Sequence, residues 1–236
     1  MGLMLEAWWC FVRYLLYIVP FAAALVTVHF TLRIPRELFR KMLHVAAFTS
    51  TPVIMWLSGD WLVTVMVLVA FGVVVWPLLA AVEGQPWYDG LFVQRRLHEV
   101  RRSLLLMFWG SALLVAVCWG AFSRPDVAAT SILMWGFGDA AAALVGKRWG
   151  RHHTGLPLAD PHKTWEGSGA MCAVSFVVGI GALVACGAGG VLGCAVRSAV
   201  AAVAGAYVEL ITRKGYDTIT VPFAIAAVLL CCALLA

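Results

Sequence analysis

Apolar residues run along this chain in long blocks rather than in alternation. Each block approaches the roughly 20 residues that carry a helix across a bilayer. Windows of this kind fall at about 7–30, 39–58, 60–82, 103–122, 126–146, 167–187, 189–212 and 218–236. They predict an all-α, polytopic membrane bundle of about eight transmembrane helices. The first window offers small residues at Ala22–Ala24 that could serve signal-peptide cleavage, yet it carries Glu6 and no basic residue ahead of Arg13. That is the wrong start for an export signal, so a retained helix is expected.

Composition removes the soluble alternatives. Of 236 residues, 63% are hydrophobic and 12% are charged, whereas a soluble domain carries roughly 25% charged residues. Too little polar surface remains to cover a globule in water, and the same figures exclude disorder. The seven cysteines, Cys10, Cys118, Cys172, Cys186, Cys194, Cys231 and Cys232, lie in apolar runs without a C-x-x-C pair. They read as small core hydrophobes rather than as zinc or redox ligands. No internal repeat or linker divides the chain, which is read as a single domain over 1–236.

The formal charge of +5 matters through its distribution. Arg33, Arg36, Arg40 and Lys41 occupy the first connection, and Arg95, Arg96, Arg101 and Arg102 the third. Lys147, Arg148, Arg151 and Lys163 occupy the fifth, and Arg213 and Lys214 the seventh. Fourteen of the 17 Lys and Arg thus sit on odd-numbered connections, while the even ones hold only Arg124. Basic loops stay in the cytoplasm, so both termini are expected to face outward, with the odd loops cytosolic. Gln94, His98, Glu99, His152, His153, Asp160, His162, Thr164, Glu166 and Asp217 share that side, which marks it as the working face.

The densest candidate chemistry lies at 138–168. Asp139 stands eight residues before Lys147, roughly 12 Å along a helix and inside the apolar part of the fifth span. An acid there is either functional or paired with a cation of a neighbouring helix. Gly138, Ala142 and Gly146 recur at every fourth residue, a smooth strip on which a second helix can approach closely. A carboxylate beside such a cleft suits Mg²⁺, which binds through one or two carboxylates and substrate phosphates. Lys147, Arg148, Arg151 and Lys163 can neutralise phosphate. Thr164 or Ser168 can cap the sixth span, whose free N–H groups attract anions. An ordinary cytosolic loop with a capping threonine would also contain Lys163-Thr164.

Gly138-Asp139 and Lys163-Thr164-x-Glu166-Gly167-Ser168, together with Arg40-Lys41-x-x-His44, resemble the integral-membrane, CTP-dependent lipid kinases. That family includes dolichol kinase, phytol kinase and a CTP-dependent diacylglycerol kinase, and is distantly related to phosphatidate cytidylyltransferase. The resemblance extends to Glu99–Gly110 and to Glu209…Asp217-Thr218-Ile219-Thr220-Val221-Pro222. In this last segment Tyr216-Asp217-Thr218 stands where the family has D-D-N.

The resemblance implies transfer of the γ-phosphoryl group of CTP to the hydroxyl of a membrane alcohol such as diacylglycerol, a polyprenol or phytol. In that scheme Asp139, with Glu166, would hold Mg²⁺. Lys163, Lys147 and Arg148 would hold the triphosphate beside Gly138, and Thr164 and Glu166 would orient it. Asp217 or Glu209 would draw the proton from the acceptor hydroxyl. Arg40, Lys41 and His44 would contact phosphate or anchor the interface. The expected partners are a membrane lipid and a cytosolic nucleotide but no nucleic acid, with a homodimer left open. The expected location is the cytoplasmic membrane, with the active site facing the cytosol.

Two other functions share these features: cytidylyl transfer to phosphatidate, whose downstream acidic stretch is missing here, and transport, for which Asp139, Arg197 and Glu209 would line an ion path. His152, His153 and His162 lack zinc spacing and read as solvated loop residues. Trp8, Trp9 and Trp87 read as interfacial anchors, and Tyr216 as one more.

Overall fold

A computed structural model describes residues 2–85, 88, 98–154, 163–212 and 215–234. Among them lie eight helices: α1 (Gly2–Leu32), α2 (Arg36–Ser58), α3 (Trp61–Val82), α4 (Glu99–Val115), α5 (Pro125–Trp149), α6 (Trp165–Ala185), α7 (Val191–Ile211) and α8 (Asp217–Leu234). A π-helical segment, Ala116–Ala121, continues α4. Every predicted window has its helix, and the fold is all-α. Lipid offers the backbone no hydrogen bonds, so spanning segments must satisfy their own, as helices do. Seven helices are long and apolar enough to cross a membrane, counting α4 with its π segment. The other is α2, whose first three turns contain Arg40, Lys41 and His44 and dilute its apolar character.

Helix ends follow local chemistry. Gly59, in the left-handed conformation at φ 64°, closes α2. Asp60 then caps α3 by accepting from the N–H groups of Leu62 and Val63, each at 2.9 Å. A β-branched residue could not take the Gly59 conformation cheaply. The seven cysteines are free thiols, with Cys10, Cys118 and Cys194 buried.

The chain forms two compact units, Met1–Leu113 and Leu114–Ala236. In the first, α1, α2 and α3 pack on one another. An aromatic chain runs from Tyr14 to Phe71, edge-on at 5.1 Å, and from Phe71 to Phe108 at 4.6 Å. Such pairs add to the area they bury. His29 stacks on Phe39 at 4.3 Å, tying the end of α1 to the start of α2. Trp8 and Trp9 are exposed on α1. Trp87 lies outside the described residues.

The second unit is held by close backbone approach. Gly138 and Gly146 of α5 face Met171, Ser175 and Gly167 of α6. A Cβ on Gly138 would overlap Ser175 Oγ, and one on Gly167 would lie 3.1 Å from the Ala142 carbonyl. This is the close helix approach that the Gly138–Ala142–Gly146 strip predicts. Two interhelical hydrogen bonds reinforce it: Ser175 Oγ donates to the Met134 carbonyl at 2.8 Å, and Ser198 Oγ of α7 donates to the Phe176 carbonyl at 2.7 Å. Without a hydrophobic driving force between helices in lipid, small residues and such bonds supply much of the association.

Candidate functional site

The polar chemistry of the second unit gathers at one end. There α5 finishes at Trp149, α6 begins at Trp165, α7 finishes at Ile211 and α8 begins at Asp217. Gly150 closes α5, its N–H donating to the Gly146 carbonyl at 3.1 Å. The chain then runs antiparallel to the segment entering α6. Thr154 N–H donates to the Lys163 carbonyl at 3.2 Å, and Trp165 N–H to the His152 carbonyl at 3.0 Å. This short pairing fixes Lys163, Thr164 and Glu166 against the end of α5. Thr164 is buried and caps α6, accepting from Gly167 N–H at 3.2 Å. The cap was one of two choices open to the sequence, and Thr164 fills it rather than Ser168.

Lys163 does not point into solvent. Its Nζ forms an ion pair with Glu209 Oε1 at 2.8 Å and also donates to the Glu209 backbone carbonyl. Both side chains are largely buried, 14% and 9% exposed. Asp139 and Asp217 act electrostatically on Glu209, and Asp139 and Lys163 act on Asp217. Asp217 Oδ1 accepts from Thr218 N–H at 3.0 Å. Thr212 and Thr220 share a hydroxyl hydrogen bond at 3.1 Å, joining the end of α7 to the start of α8. Acids from α5, α7 and α8 therefore act on one another, and Lys163 acts on two of them, Glu209 and Asp217.

The other expected site residues make contacts of their own. The Glu166 carboxylate meets His152 Nδ1 at 2.6 Å and accepts from His152 N–H at 3.3 Å. Lys147 and Arg148 are exposed on the last turn of α5, with the Arg148 guanidinium over the Trp149 ring at 5.3 Å. Arg151 is exposed as well. Gly138 serves the α5–α6 contact, next to Asp139. Arg40, Lys41 and His44 lie on α2 of the first unit, with His44 edge-on to Phe48 at 5.6 Å. Gln94, Arg95, Arg96, Asp160, His162, Arg213 and Lys214 lie outside the described residues, and only the backbone of Glu99 is described. Tyr216 is exposed.

Two partnerships escape the sequence reading. His152 reads as a solvated loop residue but holds Glu166, and the pairing of 152–154 with 163–165 is what joins them. Glu209 has its cation 46 residues away in Lys163; the available signal was that an intramembrane acid needs a partner.

Among the described residues, no group of three or more His, Cys, Asp or Glu side chains could hold a metal ion. The residues still fit Mg²⁺ in its phosphate-bound form. Asp139 and Asp217 are carboxylates, the hard oxygen donors of which Mg²⁺ commonly takes one or two together with phosphate oxygens.

No family model matches the chain, and no solved structure matches it. The phytol kinase of Synechocystis sp. is 31% identical over 198 residues, which span 80% of this chain and 76% of that protein. An identity of that size over most of both chains establishes kinship, and this chain belongs to the family of membrane lipid kinases that includes phytol kinase.

Proposed function

We propose that this lipid kinase transfers the γ-phosphoryl group of CTP to the hydroxyl of a phytol-like or polyprenol alcohol, with Mg²⁺ as the companion of the nucleotide. The observation that carries the reading is the buried Lys163–Glu209 ion pair at the helix ends of the second unit, with Asp139 and Asp217 acting electrostatically on Glu209. Phosphoryl transfer asks little covalent chemistry of a protein; positioning and charge neutralisation supply most of the rate. A bound Mg²⁺ would neutralise charge on the phosphates.

The chain's own residues do the rest. Asp139 would offer carboxylate oxygen toward the nucleotide's cation. Lys163 positions Glu209, and its ammonium also bears on Asp217. Asp217 or Glu209 accepts the proton of the attacking hydroxyl. Lys147, Arg148 and Arg151 meet the triphosphate at the exposed rim, while Glu166 fixes the loop through His152. The basic connections favour a cytosolic rim, with both termini outward and the chain in the cytoplasmic membrane. That arrangement lets a soluble nucleotide and a lipid hydroxyl reach the same helix ends.

The test uses purified full-length protein in lipid nanodiscs, γ-labelled CTP or ATP, and a panel of lipid alcohols. The expected product is a phosphorylated single-chain alcohol with release of CDP, reduced about 100-fold or more in kcat by Asp139→Asn. Formation of a CDP-lipid and pyrophosphate from phosphatidate would replace this reading with cytidylyl transfer. Unchanged turnover in Asp139→Asn would remove the role given to that acid, and uptake of solutes without nucleotide would favour a transporter.

A further inference from the structure

We propose that His152 is a positioning residue for the phosphoryl transfer: acting through Glu166, it sets the backbone from which Lys163 reaches Glu209. This rests on the kinase reading above and adds a residue that works through others rather than on substrate.

Three groups of His152 meet the start of α6. Its Nδ1 lies 2.6 Å from Glu166 Oε1. Its N–H donates toward both Glu166 oxygens at 3.3 Å, and its carbonyl accepts from Trp165 N–H at 3.0 Å. Two residues on, Thr154 N–H donates to the Lys163 carbonyl at 3.2 Å. An ionised carboxylate only accepts, so Nδ1 carries the hydrogen of the side-chain pair. Glu166 sits in the first turn of α6, where the helix dipole favours its charge. The imidazole is therefore tied to a fixed point on α6.

Beneath this clasp the two segments run without slack. A Cβ on Gly150 would lie 2.7 Å from Thr164 Cγ2 and 2.8 Å from Thr164 Oγ1, so the chain leaving α5 passes Thr164 as closely as a glycine allows. Thr164 is itself buried and committed to the α6 cap. Lys163 is thus held at its own carbonyl and at the next residue. Its flexible four-carbon stem would otherwise scatter the ammonium, which instead meets Glu209 Oε1 at 2.8 Å. Moving the root of that stem moves its tip. Misplacements of about 1 Å far from the reacting atoms can cost an enzyme much of its rate.

Most of the clasp is backbone, which many sequences could supply. The imidazole–carboxylate bond is its side-chain lock and joins residues 14 apart. The His152 side chain is 77% exposed, and exposed pairs add little to global stability. The lock is accordingly read in turnover and in local opening rather than in Tm. Direct contact of an exposed histidine with nucleotide is the competing role, and it predicts an effect that does not pass through Glu166.

The test uses purified full-length protein in lipid nanodiscs with phytol and γ-labelled CTP. His152→Ala should lower kcat about 5-fold, the ceiling set by an exposed pair, with Tm and the KM for phytol unchanged. Amide hydrogen exchange over 163–168 should quicken in the same variant. His152→Asn, whose amide N–H stands as many bonds along the side chain as Nδ1, should restore both readouts. His152→Gln reaches one bond further and should not. In a Glu166→Ala background exchange over 163–168 is already fast, and adding His152→Ala should change it no further. Unchanged kcat in His152→Ala, rescue by Gln equal to that by Asn, no rescue by Asn, or a further rise in exchange in the Glu166→Ala background each overturns the proposal. Exchange needs no turnover, so an intact clasp in a protein that phosphorylates no alcohol would remove the kinase reading. Undiminished phosphorylation by His152→Ala would remove this proposal alone.

Discussion

The two ends of the second unit treat charge in opposite ways. Where α5 begins, Arg124 grips Asp126 two residues along, with Nε and Nη2 donating at 2.9 and 2.7 Å. Arg197 on the same unit turns back to the Ala188 and Gly193 carbonyls near the start of α7, at 2.7 and 3.2 Å. These cations are satisfied by their own chain neighbourhood, and Arg197 takes backbone carbonyls rather than an acid. At the other end Lys163 reaches Glu209 across 46 residues, and Asp139 and Asp217 also act electrostatically on Glu209. Local pairing closes helix ends. Long-range pairing instead brings residues far apart in sequence to one set of helix ends.

That contrast is sharpest in the ion pair itself. Removing one partner of a buried pair leaves the other uncompensated, which costs about 3–5 kcal/mol. Lys163→Ala should therefore lower unfolding stability by about that amount and abolish lipid phosphorylation, as read by thermal denaturation in detergent and by product formation. The exchange Lys163→Glu with Glu209→Lys should recover much of the stability but little of the activity. Full recovery of both would make the pair a strut with no part in substrate handling.

Next in size is the helix contact beneath the site. Gly138→Val places a branched side chain against Ser175 and Met171, and overpacking of this kind costs about 1–3 kcal/mol. Its activity should fall with its stability, because Asp139 moves with the helix. A smaller loss is expected for Thr164→Ala, about 1 kcal/mol for the missing cap, with Thr164→Ser retaining most of the stability. Smallest of all is Arg124→Ala. This half-buried pair, 29% and 13% exposed, joins close neighbours and leaves Asp126 in the favourable first turn of α5, so kinetics with nucleotide and alcohol should not change. A large kinetic effect there would erase the distinction between the two ends.

The sequence made different parts of this arrangement legible. Helix positions follow from apolar run length, because lipid leaves the backbone few alternatives. The Gly138–Ala142–Gly146 strip declares its packing role, since period four and absent side chains have one geometric use. Thr164 is readable as a cap for the same local reason. The π-helical segment at Ala116–Ala121 is not: its bonds include Phe122 N–H to the Val117 carbonyl at 3.2 Å, and nothing in AVCWGA distinguishes it from ordinary helix. The Lys163–Glu209 pair was equally hidden. Charge periodicity speaks for neighbours three or four residues apart, whereas this pairing depends on how α6 and α7 lie side by side. Glu83 illustrates the intermediate case: its Oε2 accepts from Arg101 Nη2 at 2.6 Å and meets His98 Nδ1 at 2.8 Å, two partners three residues apart at the entry to α4, with the acid at the end of α3.

The glycine strip has a mechanical consequence. Around Gly146 and Gly167, α5 and α6 meet backbone to backbone, without long side chains to shear or re-rotamerise between them. A change in bilayer thickness would tilt that helix pair as one piece before it altered the spacing between Asp139 and Lys163. Turnover measured across lipids of increasing acyl length should accordingly track acceptor delivery rather than distortion of the charged cluster.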